Sequence, residues 1–497
     1  MKILLVYPEV PATFWSFKHA LKFINKKATL PPLGLLTIAP LLPSTWEKRL
    51  IDMNVTKLSD NDIEWADKVF ISGMIVQKKS AIEVISRAKA LNKFIVAGGP
   101  LFTTGHGEFE NVDCFVLNEG EITIPQFLED LEKGTLKRIY TSKEKPDVTL
   151  TPIPDWSLIN MKNYASMALQ ISRGCPFNCE FCDIIIINGR IPRVKSPEQV
   201  INEFDALYNA GWRGNLFIVD DNFIGNKVKV KEILKRVCLW MKEKNKPFTL
   251  YTEVSINLTD DPEIMHLMRE ANFNCVFVGI ETPEEESLIS CGKLQNTNKD
   301  LRDKIKILQN NGFEVQAGFI VGFDTDTPKT FDNMIKFIQS SGIVTAMVGL
   351  LTALPETQLF KRLHEAGRIV KNPTGNNTDF TINFVPKMNK ETLIAGYKKV
   401  LSSIFTPKNY YDRVKTYLRE YKKYSKNQSL PLTTILRALS TAIWKLGIRE
   451  KGKRHFWKLC IWTALRHPNL LPEAISLSIF GFHFRKVLIS QLEVSNS

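Results

Sequence analysis

Buried-strand patterns alternate with helical patterns along most of the chain, and this alternation restricts the fold more than any other feature. In residues 1–145, helical patterns such as Ser80–Leu91 carry apolar residues three and four positions apart. Short, almost continuous apolar runs separate them: Lys2–Tyr7, Val69–Ser72, Phe94–Ala97 and Cys114–Leu117. Because such strands are buried on both faces, they predict a doubly wound α/β domain with a parallel sheet, whose ligand should lie beyond the carboxyl ends of the strands.

A second series follows a proline-rich stretch, Lys143–Pro154, which has no helical or strand period and is expected to be a linker. Six further apolar runs alternate with helical patterns: Leu169–Ser172, Leu216–Val219, Thr249–Glu253, Val276–Ile280, Gln316–Val321 and Ala346–Leu350. They predict a partial (β/α)6 barrel with its site at the carboxyl ends of the strands, and an open doubly wound sheet is the alternative. The expected units are residues 1–145, the barrel 146–352, a helical extension 353–426 and a basic tail 427–497.

Three of the eight cysteines lie within eight residues, in the segment RGCPFNCEFCD. They are Cys175, Cys179 and Cys182. Gly174 and Pro176 favour a loop, so the three thiolates can face one point instead of lining a helix. Three thiolates suit a 4Fe–4S cluster with one iron left without a protein ligand. A closed zinc site would need a fourth ligand at short spacing, and a redox dithiol would leave Cys175 idle; these are the alternatives.

A C-x3-C-x2-C loop after the first strand of a βα series resembles the signature of the radical S-adenosylmethionine (SAM) superfamily. The resemblance implies that the three cysteines bind a 4Fe–4S cluster whose open iron chelates the amino and carboxylate groups of SAM. It also implies reductive cleavage of SAM to a 5′-deoxyadenosyl radical, with electrons from a donor such as ferredoxin or flavodoxin.

Polar side chains and glycines at later strand ends agree with this resemblance. By resemblance, Glu253 and Glu281 are expected to contact SAM, and the segment Gly318–Gly322 is expected to flank its adenine. Glycine lets a flat ring approach the backbone, although each acid could instead cap a helix. The expected SAM-binding residues are Asp220, Asp221, Asn222, Glu253, Glu281, Gly318 and Gly322.

The N-terminal domain resembles the cobalamin-binding domain that precedes many radical SAM domains. The matching segments follow predicted strands at Asp52–Asn54, Gly98–Pro100 and Asn118–Glu121. The expected cobalamin-binding residues are Asn54, Gly98, Gly99, Pro100, Glu119 and Glu121. The family pattern that supplies a histidine to cobalt, Asp-x-His-x-x-Gly, is absent, which leaves His19 and His106 as candidates. Alternatively, cobalamin binds without a protein-derived lower ligand, or the fold remains without the cofactor.

The resemblance covers residues 1–425 and extends to a subgroup that includes hopanoid methylases and archaeal tetraether-lipid ring synthases. Asp379–Pro386 and Ile404–Tyr411 match its helical extension. The leading hypothesis is cobalamin-dependent methylation of an unactivated carbon, with a lipid as candidate substrate. The alternatives are a radical SAM lipid cyclase or carbon–carbon coupling enzyme, an RNA modifier that uses the basic tail as a clamp, and an electron carrier. Carriers normally use four thiolates per cluster.

The net charge of +14 comes almost entirely from the end of the chain. Residues 401–497 contain 17 Lys or Arg and 5 Asp or Glu, whereas the preceding residues contain 49 and 47. In the tail, basic residues are interleaved with apolar ones, which include Trp444, Phe456, Trp457, Trp462, Ile475–Ile479, Phe480, Phe482 and Phe484. This pattern predicts an interfacial anchor on an anionic membrane, with a solvated helical face packed on the barrel as the alternative. Nucleic acid is the weaker candidate partner.

The location follows from features that the sequence lacks. The first apolar run ends at Pro8 and Glu9 and is predicted to be a strand, not a signal peptide. No stretch reaches about 18 uninterrupted apolar residues, and eight cysteines in 497 residues are too few for a disulfide scaffold. We therefore expect a cytoplasmic enzyme that is peripheral on the inner face of the membrane.

Overall fold

The N-terminal region forms a parallel sheet covered on both faces. The structure is a computed structural model, and it describes residues 1–376, 378–424 and 431–496. The elements are β1 (Lys2–Tyr7), α1 (Lys18–Leu21), α2 (Leu33–Ile38), β2 (Glu47–Asp52), α3 (Asp60–Trp65), β3 (Lys68–Ser72), α4 (Lys78–Ala90), β4 (Phe94–Gly98), α5 (Pro100–Gly105), β5 (Cys114–Val116), α6 (Gly120–Lys133) and β6 (Ile139–Tyr140). The strand order is β2-β1-β3-β4-β5-β6, and all neighbours are parallel.

Alternate side chains of β1 enter two different cores, because successive residues of a strand point to opposite faces. Leu4 and Val6 pack into one apolar cluster, and Ile3 and Leu5 pack into the other. The prediction of a doubly wound domain is therefore confirmed.

The second sheet is the predicted partial barrel. Its elements are β7 (Ser166–Leu169), β8 (Ser172–Arg173), α7 (Ile184–Ile187), β9 (Arg193–Val194), α8 (Pro197–Asn209), β10 (Gly214–Ile218), α9 (Lys227–Glu243), β11 (Phe248–Val254), α10 (Pro262–Glu270), β12 (Phe273–Glu281), α11 (Glu285–Ser290), α12 (Leu301–Asn310), β13 (Glu314–Val321), α13 (Pro328–Ser341) and β14 (Ala346–Leu350). The six long strands lie in the order β7-β10-β11-β12-β13-β14 and are all parallel. The first strand ends at Leu169, three residues before the predicted end, because the backbone turns there into the short antiparallel pair β8–β9.

In the described part of the chain, six helices follow the barrel: α14 (Gln358–Glu365), α15 (Lys390–Ile404), α16 (Pro407–Glu420), α17 (Leu432–Ala442), α18 (Lys453–Arg466) and α19 (Leu471–Asn496). A π-helical turn, Ile443–Arg449, extends α17. No helix among the described residues is long and apolar enough to span a membrane.

The last helix corrects one part of the tail prediction. Phe482 and Phe484 of α19 are almost completely buried, and so is Phe456 of α18. The ring of Phe484 stacks on Phe14 with the ring centroids 4.1 Å apart, and the Tyr410 hydroxyl donates to the carbonyl of Leu477 at 2.6 Å. Helix α19 is therefore part of the protein core and is not available as an anchor, because its apolar side chains already pack against the N-terminal region and α16.

Candidate functional site

The carboxyl ends of the two sheets face one cavity of about 870 Å³. The N-terminal sheet contributes the ends of β1, β3, β4 and β5, and the barrel contributes the ends of β7, β10 and β11. Many of the lining side chains are apolar, among them Phe14, Trp15, Leu33, Leu35, Ile124 and Phe217. The tertiary structure thus brings the two predicted ligand edges to one cavity.

The cysteine loop follows β8 and is fixed by its backbone. Gly174 has a φ of +101°, and a Cβ at this position would lie 2.8 Å from the carbonyl oxygen of Gly189. The Cys175 amide donates to that same oxygen at 3.2 Å, and the Glu180 amide donates to the carbonyl of Cys291 at 2.9 Å. The glycine before the first cysteine is therefore needed for a close backbone contact, and the carbonyl of Cys291 holds the loop through a hydrogen bond.

Amide and ammonium groups surround the three thiols. Asn222 Nδ2 lies 3.9 Å from Cys175 Sγ, and Gln295 Nε2 lies 3.8 Å from Cys179 Sγ. Burial raises the pKa of the Cys175 thiol and raises that of Cys182 to about 12, whereas the positive charge of Lys293 lowers both pKa values. Metal binding deprotonates a cysteine thiol, and the positive charge of Lys293 favours the anionic form of Cys175 and Cys182.

The spacing of the ligands also bears on the kind of metal site. Within the described part of the chain, no three His, Cys, Asp or Glu side chains come close enough to share a single ion. A cubane cluster attaches each thiolate to a different iron, so its ligands face a common space without converging on one atom. The donor set of three cysteines matches the three protein ligands of a 4Fe–4S cluster with one open iron.

A buried ion pair lies beside the cysteine loop. Lys293 Nζ is 2.7 Å from Glu281 Oε1, and both side chains are almost inaccessible. Burial lowers the pKa of Lys293, but the Glu281 carboxylate outweighs this effect and raises it above the usual value. A Cβ on Gly279 would overlap the Glu281 carboxylate and lie 2.7 Å from Lys293 Nζ, so this glycine makes room for the pair. Glu281, predicted as a SAM contact, is thus held by a lysine that the sequence analysis missed.

The other predicted acids of the barrel have separate environments. Asp220 accepts hydrogen bonds from the Ile171 amide at 2.7 Å and the Ser172 hydroxyl at 2.6 Å, which ties the end of β10 to the chain after β7. Asp221 accepts from Asn188 Nδ2 at 2.9 Å and lines the cavity. Glu253 also lines the cavity, and burial raises its pKa to about 8, with a further increase from the Asp221 charge. Glu253 is therefore largely protonated at neutral pH.

The two predicted glycines of β13 have packing roles. A Cβ on Gly318 would lie 3.0 Å from the ring of Phe277. Gly322 has a φ of +111°, and its amide donates to Asp326 Oδ2 at 2.7 Å. Neither residue lines the cavity, so their contact with adenine stays a prediction.

The N-terminal strand ends bring Asn54, Gly98, Gly99 and Pro100 to the cavity wall. Asn54 Oδ1 accepts from the Val10 amide at 2.8 Å, and its Nδ2 donates to Asp52 Oδ1 at 2.7 Å. A Cβ on Gly98 would lie 2.5 Å from the Val116 carbonyl oxygen. Among the described residues no histidine lines the cavity, and His106 packs against Phe115 instead.

Glu119 and Glu121 bind arginines of the barrel. Arg173 contacts Glu119 at 2.6 Å and Glu121 at 2.8 Å, and Arg193 contacts Glu119 at 2.7 Å. All four side chains are at least four-fifths buried. Both glutamates line the cavity, but their carboxylates join the two domains. Arg173 directly precedes the Gly-Cys of the cluster loop, and this position could have identified it as a functional residue. No sequence motif marks Arg193.

Comparison with known proteins agrees with this geometry. The family described as the Radical SAM superfamily matches residues 169–338, and a domain of unknown function, DUF4070, matches residues 357–493. The hopanoid C-2 methylase of Rhodopseudomonas palustris is 33% identical over 94% of this chain and 90% of its own. The chain belongs to the radical SAM superfamily. An uncharacterized methyltransferase of Synechocystis sp. is 42% identical over 97% of this chain and 91% of its own.

Two solved radical SAM structures share the overall fold. The cobalamin-dependent SAM radical enzyme OxsB, solved with aqua-cobalamin and SAM, has a TM-score of 0.65 at 16% identity and covers 100% of this chain and 81% of its own. The radical SAM methyltransferase TsrM of Kitasatospora setae also has a TM-score of 0.65, at 13% identity, and each chain is covered completely. As a radical SAM enzyme, the protein uses a 4Fe–4S cluster and SAM, and Cys175, Cys179 and Cys182 are the residues that fit the cluster.

Proposed function

We propose that the protein is a cobalamin-dependent radical SAM methyltransferase that methylates an unactivated carbon of a lipid. The observation that carries the proposal is the cavity between the two sheet edges. Its wall contains Arg173 and Asn188, which lie on either side of the cluster loop in the chain, at one edge and the predicted cobalamin edge at the other. When bound, the cluster and SAM supply a 5′-deoxyadenosyl radical, and cobalamin supplies the methyl group. A radical source and a methyl donor must reach the same substrate carbon, and one shared cavity meets this requirement.

The protein's own residues then have defined tasks. Cys175, Cys179 and Cys182 hold the cluster, and Lys293 places a positive charge beside it. Asn54 and the Gly98–Pro100 segment form the wall that cobalamin would contact. The absence of a histidine from the described lining supports binding of cobalamin without a protein-derived lower ligand.

An apolar substrate suits the cavity. Most of its lining surface is apolar, and an apolar wall favours a hydrocarbon skeleton over a charged substrate. The relationship to the hopanoid C-2 methylase supports the same substrate class. We further propose that the enzyme is cytoplasmic and receives its electrons from a ferredoxin or flavodoxin.

Anaerobic turnover with methyl-labelled SAM tests the reaction. The reconstituted enzyme is supplied with cobalamin and a lipid extract from cells that lack the gene, and the lipids are compared by mass spectrometry. Label in a new lipid is the expected result. An unlabelled lipid with a new ring or carbon–carbon bond would show a cyclase or coupling enzyme instead, and label in added RNA but not in lipid would show an RNA modifier.

A further inference from the structure

Helix α17 turns its large apolar side chains away from the protein, which is the reverse of the usual arrangement. A helix on the surface of a soluble protein turns its large apolar side chains to the core. In α17 the side turned to the protein carries small or polar residues, including Thr434, Ala438 and Ala442. The large apolar side chains face outward at helical spacing, and their exposed fractions are 69% for Leu432, 42% for Ile435, 55% for Leu436, 38% for Leu439 and 37% for Ile443.

Helix α18 continues this arrangement. Trp457, Ile461 and Leu465 are spaced four residues apart, so they form one stripe along the helix, and they are 41%, 58% and 78% exposed. Trp457 Nε1 donates to the carbonyl of Gly447 at 3.0 Å, which links the stripe to the π-helical turn where Trp444 and Ile448 are also exposed.

These side chains form an unusual concentration of exposed apolar surface, which we call the outer face. It consists of Leu432, Ile435, Leu436, Leu439, Ile443, Trp444, Ile448, Trp457, Ile461 and Leu465. Among the described residues, 10 of the 26 exposed large hydrophobic side chains are in this short segment. Such a concentration of exposed apolar side chains indicates an interaction site, because single exposed hydrophobic residues are usually scattered.

The charges around the outer face are almost all positive. Residues 431–466 contain eight basic residues: Arg437, Lys445, Arg449, Lys451, Lys453, Arg454, Lys458 and Arg466. The one acid in this segment, Glu450, lies 3.4 Å from the Arg485 guanidinium of α19. Within the part of the chain that the structure describes, none of the eight forms a salt bridge. Seven of the eight side chains are exposed, so their charge is available to an external anionic partner, whereas Lys445 is half-buried against Phe23 and Phe482.

We propose that the outer face docks the enzyme on an anionic lipid bilayer, with its apolar side chains in the acyl boundary and its basic residues at the headgroups. Apolar side chains bordered by Lys and Arg on helices that do not span the membrane are the physical requirement for interfacial binding. A second copy of the chain is the less suitable occupant, because two faces with the same positive charge repel each other. The docking is independent of the proposed reaction, since it can be measured without turnover.

Vesicle flotation tests this proposal with the full-length protein. Vesicles of phosphatidylglycerol and phosphatidylcholine should carry the protein upward, whereas vesicles of pure phosphatidylcholine should bind it at least about tenfold more weakly. Raising the salt concentration should weaken binding to the anionic vesicles. Failure of the unaltered protein to bind anionic vesicles would overturn the proposal.

A matched pair of double variants locates the surface. Leu436→Glu with Ile461→Glu should reduce binding to anionic vesicles by about tenfold or more, because two charges enter the acyl boundary. Val228→Glu with Leu239→Glu is the control, since these side chains are 70% and 61% exposed on α9 and the change in net charge is the same. Equal loss in both variants, or in neither, would overturn the assignment of the face.

Sedimentation velocity without vesicles distinguishes the competing occupant. The unaltered protein and both double variants should have the same sedimentation coefficient. If the unaltered protein sediments as a dimer that Leu436→Glu with Ile461→Glu dissociates, a second copy covers the outer face and the membrane proposal is wrong.

Discussion

The two sheet edges that face the cavity differ in how their acidic residues are used. At the barrel edge, Glu253 lines the cavity with its pKa raised by burial, and Glu281 is paired with a lysine beside the cluster loop. At the N-terminal edge, Glu119 and Glu121 are bound by arginines of the barrel. Acidic residues at strand ends thus have different roles at the two edges. At the barrel edge they face the cavity or the cluster loop, and at the N-terminal edge they hold the two domains together.

Cys175→Ala tests the chemical side of this comparison and has the largest expected effect. Without one of the three thiolates the cluster should be lost, and the rate of 5′-deoxyadenosine formation should fall by at least about 10³-fold, since the hard chemistry belongs to the cofactor. Absorbance of the cluster and anaerobic product analysis measure the two effects. Cys460→Ser, a half-buried thiol on α18, is the control, and undiminished 5′-deoxyadenosine from Cys175→Ala would contradict the assignment.

Arg173→Met tests the structural side. The substitution leaves Glu121 buried without a cation and removes one of the two arginines from Glu119, which should lower the free energy of unfolding by about 3–5 kcal/mol. Urea denaturation followed by circular dichroism measures the change. Arg87→Met removes an exposed pair with Asp60 and should cost at most about 1 kcal/mol; equal effects of the two variants would show that the buried network does not join the domains.

The pH dependence of stability should differ in sign between Glu253→Gln and Glu121→Gln. Because the pKa of Glu253 is raised to about 8, ionisation penalises the folded state as the pH rises from about 4.5 to 8. Glu253→Gln should therefore gain stability relative to the unaltered protein across this window, by about 2 kcal/mol at most after allowance for the exposed cavity surface.

Glu121 should show the reverse trend. Burial raises its pKa, but the hydrogen bonds and charge of Arg173 outweigh burial and lower the pKa overall. It stabilises the fold above the unfolded pKa of about 4.3, and this contribution is lost as the pH falls through the folded value. Glu121→Gln should thus be destabilising at pH 7 and less so near pH 4. Urea midpoints at several pH values measure both variants, and parallel curves would refute the distinction between the edges.

Gly279→Ala tests the packing around the Lys293–Glu281 pair at the barrel edge. The added methyl group would displace the Lys293–Glu281 pair without removing a charge, so we expect about 1–3 kcal/mol of destabilisation and weaker SAM binding. Equilibrium dialysis with SAM measures the second effect. Gly107→Ala, where nothing lies within 4 Å of the new Cβ, is the control and should leave SAM binding unchanged.

Local patterns predicted most of the fold, and they predicted the cluster loop as well. The almost continuous apolar run Lys2–Tyr7 and the apolar runs of the barrel identified strands of both sheets, because burial on both faces leaves a direct pattern in the sequence. Such patterns did not predict which side chains form ion pairs with each other. Lys293 lies 12 residues from Glu281, and Arg173 lies 52 residues from Glu121.

The sequence by itself determined the two parallel sheets, the three-cysteine loop and the basic tail, since each depends on residues close together in the chain. Only the tertiary structure decided that Asp220 bonds to Ile171 and Ser172, and that Glu119 and Glu121 hold the domains together. It also divided the tail into a buried α19 and an outward-facing α17 and α18. The physical reason is that an amphipathic pattern defines the apolar side of a helix but not the medium that this side faces, which depends on what the rest of the chain packs against it.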